Sequence, residues 1–142
     1  MEHNNVAHTV FVVLYLVQIV NAVIYFKLSI VGFISIFVGL FLIILASKER
    51  RKGEFTTCGV YAIVRHPEFL GHMLIIFGLM MISRTILSVL VFSILIAMLY
   101  LGILYEEKEN LKKFGKNYED YMKRVPRLNI VEGIRRKYKF KE

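Results

Sequence analysis

Long apolar runs broken by short polar punctuation dominate the first two thirds of this chain. About 20 consecutive, mostly apolar residues cross a bilayer as a helix. Residues 8–26 form the first such run, with Gln18 and Asn21 as its strongly polar interior groups. Residues 28–46 form a second, after a hinge near Lys27. A shorter run, 69–82, begins in the interface at Pro67, and a fourth covers 86–105. The connections around Lys27 and around Ser83-Arg84-Thr85 are tight, so the pattern predicts four spans arranged as two helical hairpins, with no repeat between them. Beyond Tyr105 the period changes. Leu111, Phe114, Tyr118, Tyr121 and Val125 recur at three- and four-residue spacing among Lys and Glu, which predicts an amphipathic helix from Glu106 to Arg124. Gly115 weakens or kinks it, and Pro126 ends it. That helix is read either as lying on lipid or as a lid folded over the loop between the second and third spans. The last basic stretch, Arg135-Arg136-Lys137-Tyr138-Lys139, reads as a frayed tail attracted to lipid.

Composition agrees with an all-α membrane protein of one domain, residues 1–142. Hydrophobic residues make up 56% of the 142, above the roughly 45–50% of soluble domains, and mean hydropathy is +0.55. The net charge of +8 would suggest nucleic acid in a soluble protein. Here the basic residues flank apolar segments, so membrane lipids are the expected partner and nucleic acid is not. The N-terminus lacks the pattern of a cleaved signal peptide. Lys48, Arg50, Arg51, Lys52 and Arg65 lie in or beside the middle loop, 47–67, and further cations fill the tail, 106–142. The opposite side carries Lys27 and Arg84. The positive-inside rule therefore puts the loop, the tail and both termini in the cytoplasm.

Two clusters carry chemistry, and this topology brings both to the cytoplasmic interface. Arg65-His66-Pro67 stands at the mouth of the third span. Proline suits the first helical turn, so free backbone N–H groups there would attract an anion beside the Arg65 and His66 donors. Alternatively Arg65 reaches to headgroups and His66 caps the helix. Glu106-Glu107 closes the fourth span, where both the helix dipole and an anionic leaflet disfavour negative charge. The pair suits a guest with positive charge or hydroxyls, or is a solvated ion pair. Together the clusters suit a zwitterion with hydroxyls, such as S-adenosylmethionine, although a lipid headgroup presents similar chemistry. Tyr61, Phe55 and Phe69 would wall in its adenine ring, and Gly59 and Gly71 permit close backbone approach. His66 and His72 are six apart, which is not a metal-ligand spacing on one helix face, and no metal site is expected. Cys58 reads as a small packing residue.

Gly59, Tyr61, Arg65, His66, Pro67 and Gly71, then Glu106, Glu107 and Leu111, then Phe114, Gly115, Tyr118, Tyr121, Val125, Pro126 and Arg127, follow one another in a fixed order. This order resembles the family of integral-membrane methyltransferases that includes isoprenylcysteine carboxyl methyltransferase and phospholipid N-methyltransferases. The resemblance covers residues 53–127. It implies an S-adenosylmethionine-dependent enzyme that methylates a lipophilic acceptor at the cytoplasmic face. The acceptor enters sideways from the bilayer, and Tyr61, His66, Pro67 and Glu107 line the cofactor pocket. It extends the cofactor set to Glu54, Phe55, Thr56, Phe69 and Glu106, and leaves Arg65 as the candidate catalytic residue. Four positions depart from the family's pattern: Phe69 where most members have Tyr, an acidic Glu68 after the Pro, Ile103 where the carboxyl methyltransferases carry a substrate-binding arginine, and Asn110 in place of the pattern's leucine, with Leu111 beside it. The acceptor therefore stays open between a carboxylate, a phospholipid or other amine, and a thiol. A non-catalytic protein that binds lipid or a partner helix is the alternative of another class.

Overall fold

A computed structural model describes residues 2–51 and 55–139 of the chain. Among them there is no strand. Six α-helices follow in order: α1 Glu2–Ile24, α2 Ile30–Arg50, α3 Pro67–Ser83, α4 Ile86–Phe114, α5 Lys116–Arg124 and α6 Ile130–Lys139, with a 3₁₀ turn at Gly59–Ala62 before α3. Among the described residues, three segments are long and apolar enough to cross a bilayer: Asn5–Ile24 in α1, α2 and α4. α3 is equally apolar but has 17 residues. The all-helical architecture and the tight connections agree with the sequence pattern.

Two expectations change. The chain does not leave the fourth span at Glu106 to start a separate helix; α4 continues to Phe114. The segment from Leu104 to Phe114 contains no proline or glycine, and Glu, Lys and Leu propagate a helix well. The break comes at Gly115, whose φ of +53° a side-chain-bearing residue adopts at a cost. The final basic stretch is also not frayed: it is part of α6, started by Asn129, whose side-chain Oδ1 accepts the Glu132 N–H at 3.0 Å.

The helices form two units, one from Met1–Gly39 and His72–Leu101, the other from Leu40–Gly71 and Gly102–Glu142. In the first, buried polar groups join the apolar helices. Gln18 Nε2 donates to Ser88 Oγ at 2.7 Å, Ser83 Oγ donates to Ser88 Oγ at 2.6 Å, and Asn21 Nδ2 donates to Thr85 Oγ1 at 2.7 Å. The two polar groups inside the first apolar run thus tie α1 to the start of α4. Such bonds help join helices where apolar contact with lipid gives little preference for one partner. α2 and α3 cross at Gly32 and Gly78, and Ser35 Oγ donates to the Leu74 carbonyl at 2.7 Å nearby. A Cβ on Gly32 would stand 2.9 Å from the Gly78 carbonyl oxygen. The outward side chains, such as Val23, Leu28, Phe37 and Ile86, are exposed and apolar, as lipid contact requires.

The second unit has an aromatic core. Tyr118, Tyr121 and Val125 are buried, with Phe55, Phe114 and Met122 packed around them. Tyr121 Oη donates to the Tyr61 carbonyl at 2.7 Å and so fixes the 3₁₀ turn to α5. Beyond α5 the chain returns to the segment before α3: Arg65 N–H donates to the Pro126 carbonyl at 3.0 Å and His66 N–H to the Arg127 carbonyl at 3.3 Å.

The α2–α3 crossing gives the first test. Gly78→Leu places a side chain where the Gly32 backbone passes. It should lower stability by about 1–3 kcal/mol, read as a drop in the thermal unfolding midpoint in detergent. An unchanged midpoint would show that the two helices do not approach this closely.

Candidate functional site

Glu107 is 5% exposed, and a buried carboxylate must be paired and hydrogen-bonded to persist. Its position on α4 supplies those partners from two segments of the second unit, the one before α3 and the one after α5. Arg127 grips it bidentately, with Nε 3.0 Å from Oε1 and Nη2 2.7 Å from Oε2. Arg65 Nη1 lies 3.1 Å from Oε1, and His66 Nε2 lies 3.2 Å from the same oxygen. Burial, reinforced by the Arg65 and Arg127 guanidinium groups, pulls the His66 pKa down to about 4, against the opposing pull of Glu107. The imidazole is therefore neutral near pH 7. A carboxylate only accepts, so His66 Nε2 carries the proton and Nδ1 is left as an acceptor.

Beside this hub a cavity of about 560 Å³ opens. Arg51, Arg65 and Lys113 bring positive charge to its wall, and Glu106 brings negative charge. Thr56, Tyr61, His66 and Asn110 add polar groups, while Phe55, Tyr118 and Tyr121 supply ring faces and edges. Arg65 is 8% exposed in its side chain, and its Nε makes no hydrogen bond among the described residues. Arg50 closes one side. Its Nη1 lies 2.9 Å from Glu68 Oε2 and its Nη2 3.4 Å from Glu106 Oε1. Burial raises the Tyr61 hydroxyl pKa to about 12, so the phenol keeps its proton.

The structure therefore gathers Arg65, Phe55, Thr56, Tyr61, His66 and Glu106 around one cavity. Pro67 and Phe69 line a smaller cleft that shares Arg50, Tyr61, Arg65, His66 and Glu106 with it. Glu107 is not among the cavity's lining residues; it lies behind them and holds Arg65 and His66. Glu54 lies outside the described residues. Phe55 stacks on Phe114, with centroids 4.9 Å apart and planes at 20°, so one of its faces is already covered. The backbone N–H groups of Arg65 and His66 are likewise used, by the Pro126 and Arg127 carbonyls. Sequence reasoning did not assign Arg127, Arg50 or Asn110 to the site. The Val-Pro-Arg run was the available signal for Arg127; the other two come from loop and helix geometry.

Residues 6–117 match the family model described as phospholipid methyltransferase. The chain belongs to that family. Over 84 residues it is 36% identical to the protein-S-isoprenylcysteine O-methyltransferase of Schizosaccharomyces pombe, a match covering 58% of this chain and 36% of that relative. The chain thus spans about a third of the length of the curated relative it matches. No solved structure matches. Within this methyltransferase family, the matched span holds Tyr61, Arg65, His66, Pro67, Glu106 and Glu107, whereas Tyr118, Tyr121 and Arg127 lie beyond it.

Two tests follow from the hub. Arg127→Ala removes the Nη2 bond to Glu107 Oε2 and the Nε bond to Oε1, and should lower stability by about 1.5–3 kcal/mol, measured by thermal unfolding; an unchanged midpoint would mean the bidentate pair does not hold the segment. For His66 the folded pKa, about 4, is below its ordinary value of 6.5. The unfolded chain then binds a proton in that window that the folded chain does not, so stability should fall as pH drops from 6.5 toward 4. His66→Gln should flatten that slope relative to the wild type. Equal slopes would show that His66 titrates alike in both states.

Proposed function

We propose that this chain is an integral-membrane methyltransferase that binds S-adenosylmethionine in the cavity around Arg65, His66 and Glu106 and methylates a lipophilic acceptor. The single observation that carries the reading is the mixed charge of that cavity wall in a chain of this family. Cations on Arg51, Arg65 and Lys113 suit the cofactor's carboxylate, and Glu106 suits its ammonium or ribose hydroxyls. The buried, unbonded Nε of Arg65 is a donor in want of such an acceptor. The volume, about 560 Å³, is within the range of small-molecule sites. S-adenosylmethionine supplies a sulfonium-bound methyl group, whose transfer breaks one C–S bond and forms one bond to the acceptor's nucleophile. The protein's own part is positioning and exclusion of water. Neutral His66, held by Glu107, adds no positive charge beside a sulfonium.

In this reading α1, α2, α3 and α4 all cross the bilayer, with α3 entering from the interface at Pro67. The cations of Lys48, Arg50, Arg51 and Arg65 and both termini lie on the cytoplasmic side. The acceptor arrives laterally from lipid. Its reacting group is not selected by a free charge, because Arg50 is bound to both Glu68 and Glu106.

Calorimetric titration of the detergent-purified protein with S-adenosylmethionine tests the cofactor assignment. The wild type should bind with micromolar affinity. Arg65→Ala and Glu106→Gln should each weaken binding roughly 10- to 100-fold, the worth of a charge-assisted hydrogen bond. A folded wild type that takes up no cofactor would favour the non-catalytic, lipid-binding alternative.

A further inference from the structure

α6 lies outside the matched family span, yet it is fastened to the site segment. A Cβ on Gly133 would overlap the Ile63 carbonyl, so the helix backbone rests directly on the chain two residues before Arg65. Arg136 is turned inward: its Nε lies 2.8 Å from Glu132 Oε1 and its Nη1 donates to the Lys123 carbonyl at 3.1 Å. Pro126 and Arg127, just upstream, accept from the Arg65 and His66 backbone.

Among the described residues, the other side of α6 has no such attachment. At about 100° per residue, Val131 lies about 160° and Ile134 about 100° around the helix from Gly133, and they are 78% and 42% exposed. Arg135 and Lys137, both exposed, flank that apolar pair on either side. Two aliphatic side chains bracketed by cations fit the boundary between acyl chains and anionic headgroups. Water is a poor medium for the first, and an apolar protein groove is a poor medium for the second.

We propose that α6 docks on the anionic leaflet through Val131, Ile134, Arg135 and Lys137, and that this docking holds the Ile63–His66 segment in its binding geometry. The lipid contact stands independently of the methyl-donor reading; its effect on the cavity rests on that reading.

The chain contains no tryptophan, so Ile134→Trp installs a single, selectively excitable tryptophan on this face. In nanodiscs containing phosphatidylglycerol its emission should be blue-shifted and quenched by brominated acyl chains. Both effects should shrink in pure phosphatidylcholine discs and on adding Arg135→Glu with Lys137→Glu. Val131→Trp reports the same face should the first variant fold poorly. Water-like emission in both lipids, or equal quenching in both, would overturn the anionic docking. In phosphatidylglycerol discs the double charge reversal, on the otherwise native chain, should weaken S-adenosylmethionine binding several-fold. Lost quenching with unchanged cofactor affinity would overturn the coupling while leaving the cofactor site intact. Absence of cofactor binding in the wild type, with normal quenching, would instead count against the proposed function alone.

Discussion

Burying the Glu107 carboxylate among apolar helix ends would be strongly unfavourable without compensation. The chain compensates it with two guanidinium groups and a neutral imidazole, drawn from the segment before α3 and the segment after α5. Each partner is thereby fixed in return. Arg65 and His66 are held at the edge of the cavity, and Arg127 brings its backbone carbonyl to the His66 N–H. The loop that carries the site's most distinctive residues needs no regular structure of its own beyond the 3₁₀ turn, because its side chains converge on one charge and its backbone is pinned from α5.

The division of labour between carboxylates follows from exposure. Glu107 is spent on structure. Glu106, its neighbour on α4, faces the cavity, with Arg50 as its ionic partner at 3.4 Å. Adjacent helical residues point about 100° apart, so one is buried in the ion-pair hub and the other faces the cavity. Arg50 likewise spans two carboxylates while half-exposed, where each ion pair contributes little to stability. That makes it an adjustable element at the site's edge, in contrast to the rigid Arg127 grip.

Much of this was legible in the sequence. Apolar run length and tight connections announced the helices, because a bilayer leaves few alternatives for the backbone. The ordered residues from Gly59 to Arg127 include Tyr61, Arg65, His66 and Glu106, which line the cavity. What sequence pattern lacked was tertiary contact. Periodicity placed a helix start at Glu106, whereas helix continuity is decided by local propensity, and nothing interrupts it until Gly115. The basic character of 135–139 suggested a loose tail, but Gly133 and Arg136 find partners that no one-dimensional pattern shows. Glu107 was expected to face a ligand; only the geometry of Arg127, twenty residues later, reveals its internal pairing. Gln18 and Asn21 were visible as polar exceptions, but their serine and threonine partners lie 70 and 64 residues away.

The most direct measurement follows the methyl group itself. Protein in lipid nanodiscs would be incubated with S-adenosylmethionine labelled with tritium on the methyl carbon, together with a membrane lipid extract, and the organic phase counted. Label should appear in lipid-extractable product with the wild type and fall to background with Glu107→Gln, which keeps the shape but removes the charge that orders Arg65 and His66. Transfer undiminished in a folded Glu107→Gln protein would contradict the role given to that carboxylate. No transfer by the wild type to any extracted lipid, carboxylate-bearing or amine-bearing, would contradict the methyltransferase account.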